Sequence, residues 1–285
     1  MKNILITGSD GQLGCELKMI SSDYNGYAFI YTNKSQLDIT NHSEVNDFVI
    51  SNNINIIINC AAYTAVDNAE NQLIIADKIN HLAVKNLADV SKNRNIQLIH
   101  ISTDYVFDGE NFKPYSEIDN PNPQSVYGKS KLAGEVAIRK INPPNSIIIR
   151  TSWVYSNYGK NFLKTMMSLS EKRDEVSVVV DQIGTPTCAA DLAETILTIL
   201  PKIKNKVVDL VHYSNEGACS WFDLSLEIFK LKSIKVKVNP IESVEFKTLA
   251  KRPYYSLLNK KYIKKKYKIE IPHWKSSLIK TINTQ

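Results

Sequence analysis

Ile4-Leu5-Ile6-Thr7-Gly8-Ser9-Asp10-Gly11-Gln12-Leu13-Gly14 lies close to the start of the chain, and the fold turns on how it is read. Its first three residues are apolar and fit a short buried strand. Glycines follow at 8, 11 and 14, and residues 15–20 carry on with helical spacing. Strand, glycine turn and helix in that order form the context of a dinucleotide-binding motif. The first glycine permits a tight turn, the middle one lets the backbone approach a pyrophosphate, and the last lets helix and strand pack closely. Backbone N–H groups at the helix start then face the phosphates. Gly8, Gly11 and Gly14 are therefore cofactor-binding candidates; an ordinary glycine-rich turn is the competing reading.

Downstream, the alternation repeats. Residues 27–31 read as a second strand, ending at Thr32-Asn33-Lys34. An NAD-dependent protein often carries an acid here for the ribose 2′-hydroxyl. None follows Tyr31, and Lys34 is placed to meet a 2′-phosphate, so the expectation leans towards NADPH over NADH. Asp38 has two readings: an adenine contact, with Ile39 beside it, or the cap of a helix running from Thr40 or Asn41 to near Ser51. Residues 54–59 read as a strand that opens into Cys60-Ala61-Ala62, small enough for a cofactor to lie against the backbone. A helix over 73–92 carries Asn80 in its middle, and a strand over 96–101 opens into Ser102-Thr103-Asp104-Tyr105. Polar clusters at a strand's carboxyl end are where an open α/β sheet places its chemistry.

Tyr127 and Lys131 then stand four residues apart on a predicted helix, which puts them on one face. A phenol has a pKa near ~10. A neighbouring cation stabilises the phenolate and eases proton transfer to a substrate oxygen. An exposed helix face is the bland alternative. With a strand over 146–151, the pattern predicts a Rossmann-type doubly wound parallel α/β sheet over residues 1–151. Residues 152–285 predict a smaller mixed α/β substrate-binding region, with segments around 175–212 returning to the first core.

Composition bounds the function. At 43% hydrophobic and 22% charged, the 285 residues are those of a globular protein. No apolar run reaches the length of about 18 residues that suggests a membrane span, and the apolar start runs into glycines, not a cleavage site. Cys15, Cys60, Cys188 and Cys219 are scattered without metal-site spacing, as expected of reduced thiols in a cytoplasmic protein. From Lys230 onwards 15 Lys and Arg face 3 Asp and Glu. Such a segment suits nucleic acid, a membrane surface or a polyanionic small substrate. No nucleic-acid-binding motif accompanies it, and Lys264-Lys265-Lys266 reads as a solvated face.

The glycine motif behind Thr7, Thr103 at a strand end and Tyr127-x-x-x-Lys131 together resemble the extended short-chain dehydrogenase/reductase superfamily. Longer stretches are more specific: residues 59–70, 102–109, 127–135 and 150–155 are similar to the dTDP-4-dehydrorhamnose reductase family. Gly184-Thr185-Pro186-Thr187 and Arg252-Pro253 extend the likeness over nearly the whole chain. The resemblance implies NADPH- or NADH-dependent reduction of the C4 ketone of a dTDP-linked 6-deoxy-4-keto-hexose, without nucleic acid or membrane, by a monomer or homodimer. It implies Tyr127 as general acid, Lys131 as its partner and a nicotinamide-ribose ligand, and Thr103 as a hydrogen-bond donor to the same oxygen. It places Gln12, Leu13, Ala62, Tyr63 and Thr64 along the cofactor, and Val66, Asp104, Tyr105 and Trp153 along the sugar. Arg252, beside Pro253, is the candidate for the diphosphate. Some members bind Mg²⁺ through glutamates at a dimer contact. Glu16 matches one of these, but Ala190 stands where another is expected and the tail lacks an acidic ligand. A dehydratase would carry a glutamate after Thr103-Asp104, where Tyr105 stands. A non-catalytic subunit like that of methionine adenosyltransferase would have lost the acid/base residues, which are present.

Overall fold

The computed structural model describes residues 1–284. The first strand, β1 (Lys2–Thr7), passes through the glycine turn into α1 (Gln12–Ile20) and pairs in parallel with β2 (Tyr27–Thr32). There follow α2 (His42–Ser51), β3 (Ile54–Asn59), a short α3 (Val66–Asn71) and α4 (Leu73–Asp77). A π-helical turn at Lys78–Leu82 joins α4 to α5 (Ala83–Asn93). Then come β4 (Gln97–Thr103), α6 (Val126–Ile141) and β5 (Ile147–Thr151).

Alternate strand residues point to opposite faces, so a strand covered on both sides is apolar throughout. Ile4 and Ile6 accordingly pack under Leu17 of α1, while Leu5 between them packs with Val45 of α2 and Leu87 of α5. Asn41 caps α2, accepting from the Glu44 N–H at 3.3 Å. Asp38 is thus not the cap.

Beyond Thr151 lie β6 (Val154–Tyr155), α7 (Phe162–Ser170), β7 (Glu175–Val179), β8 (Ile183–Gly184), β9 (Thr187–Cys188) and α8 (Ala189–Ile199). The rest is β10 (Asp209–His212), β11 (Cys219–Ser220), α9 (Trp221–Leu231), β12 (Lys237–Ile241), α10 (Lys261–Tyr267) and α11 (Trp274–Asn283). The main sheet has six strands in the order β10-β5-β4-β3-β1-β2. Winding reverses between β1 and β3, which opens a crevice at their carboxyl ends.

Within 175–212, α8 packs on the main sheet through Leu192 and Ile196, and β10 pairs with β5. β7 departs from that expectation: it pairs with β12. Its Val176 and Val178 join Leu163 and Met166 of α7 and Ile228 of α9 in a separate core, which leaves the strand no apolar face for the main sheet.

The basic tail is stitched to acids earlier in the chain. Lys264 and Lys260 reach Glu216 at 2.6 and 3.4 Å, Lys266 reaches Asp209 at 2.7 Å, and Lys275 reaches Glu227 at 3.4 Å. Two of the three lysines expected on a solvated face therefore have acidic partners. Among the described residues no helix is long and apolar enough to cross a membrane, and the four cysteines are free.

Candidate functional site

Above the crevice lies a cavity of about 480 Å³, bounded by the start of α1, the carboxyl ends of β3, β4 and β5, and one face of α6. Gly8 has a φ of +66°, and a Cβ there would lie 2.7 Å from the Ala61 backbone. A Cβ on Gly14 would lie 2.6 Å from the carbonyl oxygen of Gly8. Gly8 therefore lets the turn lie against the segment that follows β3, and Gly14 lets α1 close up under the turn, while Gly11, Gln12 and Leu13 line the cavity itself. No side chain caps α1 and its first turn carries no acid. An open helix start beside small residues suits a pyrophosphate, so the cavity fits a dinucleotide.

Ala62 and Thr64 line the cavity, and Tyr63 lies just outside it. The π-helical turn aims the buried Asn80 side chain at this segment: its Oδ1 accepts from the Tyr63 N–H at 2.9 Å, and its Nδ2 donates to the Tyr63 carbonyl at 3.0 Å. The same amide donates to Ser130 Oγ at 3.0 Å, tying the β3 end to α6. Such turns often mark functional positions.

Thr103, Tyr127 and Lys131 line one cavity wall. Burial pushes the Tyr127 hydroxyl well above the usual phenol range, opposed by its hydrogen bond with Thr103. Thr103 Oγ1 itself donates to Asp104 Oδ1 at 3.0 Å and accepts from the Tyr105 N–H at 3.2 Å. Burial also raises Asp104, to about 6. Lys131 differs from the sequence expectation. Its ammonium, only 2% exposed, donates to the Ile101 carbonyl at 2.6 Å and faces His100 Nε2 at 3.3 Å, and is not bonded to the phenol. An ammonium so deeply buried takes the nearest carbonyl oxygen. Burial lowers Lys131 to about 8, with Glu135 pulling it back up.

His100 lies in no motif, and Asn59 opens the family-like stretch 59–70 without a role of its own to mark it. Asn59 Oδ1 accepts from Thr7 Oγ1 at 2.7 Å and from the Ala61 N–H at 3.2 Å, so its Nδ2 must be the group 3.0 Å from His100 Nδ1. Three neighbouring strands thus carry a buried polar rung from the glycine turn to Lys131. Burial, and the charge of Lys131, keep His100 neutral.

Asp38 and Ile39 do not reach the cavity. Asp38 Oδ1 accepts from the Thr40 N–H at 2.9 Å, a bond that lowers its carboxyl pKa, and Ile39 is buried in the core. Tyr105 meets the Tyr127 ring edge-on at 5.5 Å between centroids, and Val66 packs on the same small core of Ala69, Ala76 and Tyr127, both outside the cavity lining. Trp153, with a φ of +47°, lines the cavity and stacks on Trp221 at 3.5 Å between centroids. Across that stack is a second cavity of about 400 Å³, lined by Phe162, Trp221, Phe246 and Arg252. Arg252 bonds Asp67 at 2.6 Å and the Tyr105 hydroxyl at 3.2 Å. Its Nε is buried without a partner. Lys160 also lines the first cavity from a loop whose sequence carries no recognised pattern.

Comparison with known proteins identifies the family. A family model described as the RmlD substrate binding domain matches residues 1–285. The chain belongs to this family. It is 39% identical to the dTDP-4-dehydrorhamnose reductase of Aggregatibacter actinomycetemcomitans, over 98% of this chain and 97% of that one. Among solved structures, the dTDP-4-dehydrorhamnose reductase of Clostridium acetobutylicum superposes with a TM-score of 0.93 at 43% identity, covering 99% of both chains. That of Bacillus anthracis, solved in complex with NADP, gives 0.93 at 40% identity, covering all of both. For this member of the RmlD family, Glu16 and Asp191 face each other closely enough for Asp191 to raise Glu16, after burial. Among the described residues, however, no three His, Cys, Asp or Glu side chains gather to hold a metal ion.

Proposed function

We propose that the chain is an NAD(P)H-dependent oxidoreductase that reduces the C4 ketone of dTDP-4-dehydro-6-deoxy-L-mannose to dTDP-L-rhamnose. One observation carries this reading: Thr103, Tyr127 and Lys131 share a cavity with the open start of α1. The bound dinucleotide supplies the hydride. Gly11, Gln12, Leu13, Ala62 and Thr64 hold it, with Gly8 and Gly14 shaping the turn. Tyr127, kept protonated by burial, delivers a proton to the ketone oxygen as negative charge develops there. Lys131 binds the nicotinamide ribose and keeps a positive charge beside the resulting phenolate. Thr103 orients the same oxygen.

Residues 1–151 hold the cofactor and residues 152–285 supply most of the sugar-nucleotide site. Support for this division comes from the second cavity, where aromatic rings suit a thymine and Arg252 suits a diphosphate. Asp104 and Trp153 face the sugar from the first cavity, with Val66 and Tyr105 behind the Tyr127 ring. The test is a spectrophotometric assay of reduced-nicotinamide loss with a panel of dTDP-4-keto sugars. Turnover of dTDP-4-dehydrorhamnose above the others is expected. Turnover of none of them would refute the assignment.

A further inference from the structure

A neutral imidazole carries one N–H and one acceptor nitrogen, and the groups facing it decide which is which. For His100 that choice is made on the neighbouring strand. The Ala61 N–H can only donate, and it meets Asn59 Oδ1 at 3.2 Å. Asn59 therefore turns its amide nitrogen towards His100, whose Nδ1, 3.0 Å away, accepts. The His100 proton must then sit on Nε2, which faces Lys131 Nζ at 3.3 Å. An ammonium has no lone pair to receive it. The two groups meet donor to donor. Among the described residues, the Ile101 carbonyl at 2.6 Å is the one oxygen that takes a hydrogen bond from Lys131. His212, the other fully buried histidine, has the opposite tautomer: its Nδ1 lies 3.1 Å from the Tyr115 carbonyl, which can only accept.

We infer that Asn59 fixes His100 as the Nε2–H tautomer, and that His100 is thereby a positioning residue for Lys131. By offering no acceptor, it keeps the ammonium from settling into the sheet and leaves it free to turn towards the cavity. This rests on the reading of Tyr127 and Lys131 as the acid/base pair. A buried ammonium with unmet N–H groups is costly, so any oxygen offered from the cavity side draws it out. Glu135, one turn further along α6, attracts the same charge. Its oxygens are already taken, however, by Arg150 of β5 at 2.9 and 2.6 Å and by the Ser102 hydroxyl. Tyr127 and Asp104 border the cavity itself, on the side to which the lysine would turn.

Nitrogen-15 NMR of histidine-labelled protein reads the tautomers directly. Two histidines should stay neutral through the range in which an ordinary imidazole titrates, one as Nε2–H and the other as Nδ1–H. Asn59→Asp keeps the shape and replaces the donor by an acceptor. The signal that changes is then that of His100, which should convert to Nδ1–H and free Nε2 to accept from Lys131. Lys131 should in turn titrate about one unit higher, followed by its Cε carbon shift. The high-pH limb of kcat/KM, which reports the free enzyme, should move with it. Two buried Nδ1–H histidines in the unmodified protein overturn the inference, whether or not the variant folds. So does a tautomer that ignores Asn59→Asp, or a Lys131 pKa unmoved once the tautomer has flipped. A Lys131 pKa that moves while the limb stays put supports the hold of His100 on Lys131 and overturns the acid/base reading instead.

Discussion

Residues 2–151 and residues 232–284 are held in place by different means. In the first region the central strands β3 and β5 are largely apolar runs buried on both faces, with their hydrogen bonds to neighbouring strands. In the second, one five-residue strand and helices of seven and ten residues are anchored by lysines reaching acids far away in sequence, and by Trp274, Leu278 and Ile282 of α11 in the separate core. Exposed ion pairs are each worth only about 0–1 kcal/mol, whereas burial of one large apolar side chain contributes roughly 1.5–3 kcal/mol. Thr103, Tyr127 and Lys131, the candidate acid/base residues, lie in the first, more rigidly packed region, whereas the second contributes only Phe246 and Arg252 to the lining of the second cavity.

The largest expected effect tests the rigid side. Tyr127→Phe keeps the ring and removes the proton, so kcat should fall by about 10²–10⁴-fold with dinucleotide binding retained; near-normal kcat would remove Tyr127 as the acid. Gly14→Val comes next. With a side-chain carbon forced into the Gly8 carbonyl, dinucleotide affinity should drop well beyond any loss of thermal stability, which calorimetry and titration together decide.

Asp104→Asn should move stability the other way. A carboxyl raised to about 6 from an ordinary 3.8 binds protons more tightly in the folded state, so its ionisation weakens the fold as pH rises through that window. The variant should therefore gain roughly 1–3 kcal/mol at pH 7, a gain that disappears below about pH 4. A melting temperature unchanged at pH 7 would show that Asp104 ionises without cost.

The smallest effects belong to the tail. Neighbouring lysines lower Glu216 despite its burial, so the pair stabilises above the ordinary carboxylate range and is lost as pH falls. Glu216→Gln should cost about 1 kcal/mol, reduced at high salt. Because these lysines have partners within the chain, the KM for the sugar nucleotide should change little with ionic strength. A steep rise in KM would instead assign tail lysines to the diphosphate.

The same contrast explains what the sequence made legible. Ile4 to Gly14 encodes its structure locally, and so do the strand into Thr103 and the helix bearing Tyr127. Lys131 was found, but not its orientation, because the carbonyl of Ile101 competes for its proton only once β4 lies alongside α6. His100 sits inside an apolar strand and has no spacing to mark it. Its importance comes from being opposite Asn59 in the sheet. The pairing of β7 with β12 joins segments about sixty residues apart and follows from what remained to be covered.

The Trp153–Trp221 stack has a further consequence. Two of the chain's three tryptophans have ring planes 3.5 Å apart at centroid and 8° from parallel. Indoles so close couple their excited states, and the protein therefore carries a built-in optical reporter in its near-ultraviolet circular dichroism. Since one ring borders each cavity, a ligand that parts them would extinguish the couplet, and occupancy could be followed without a label.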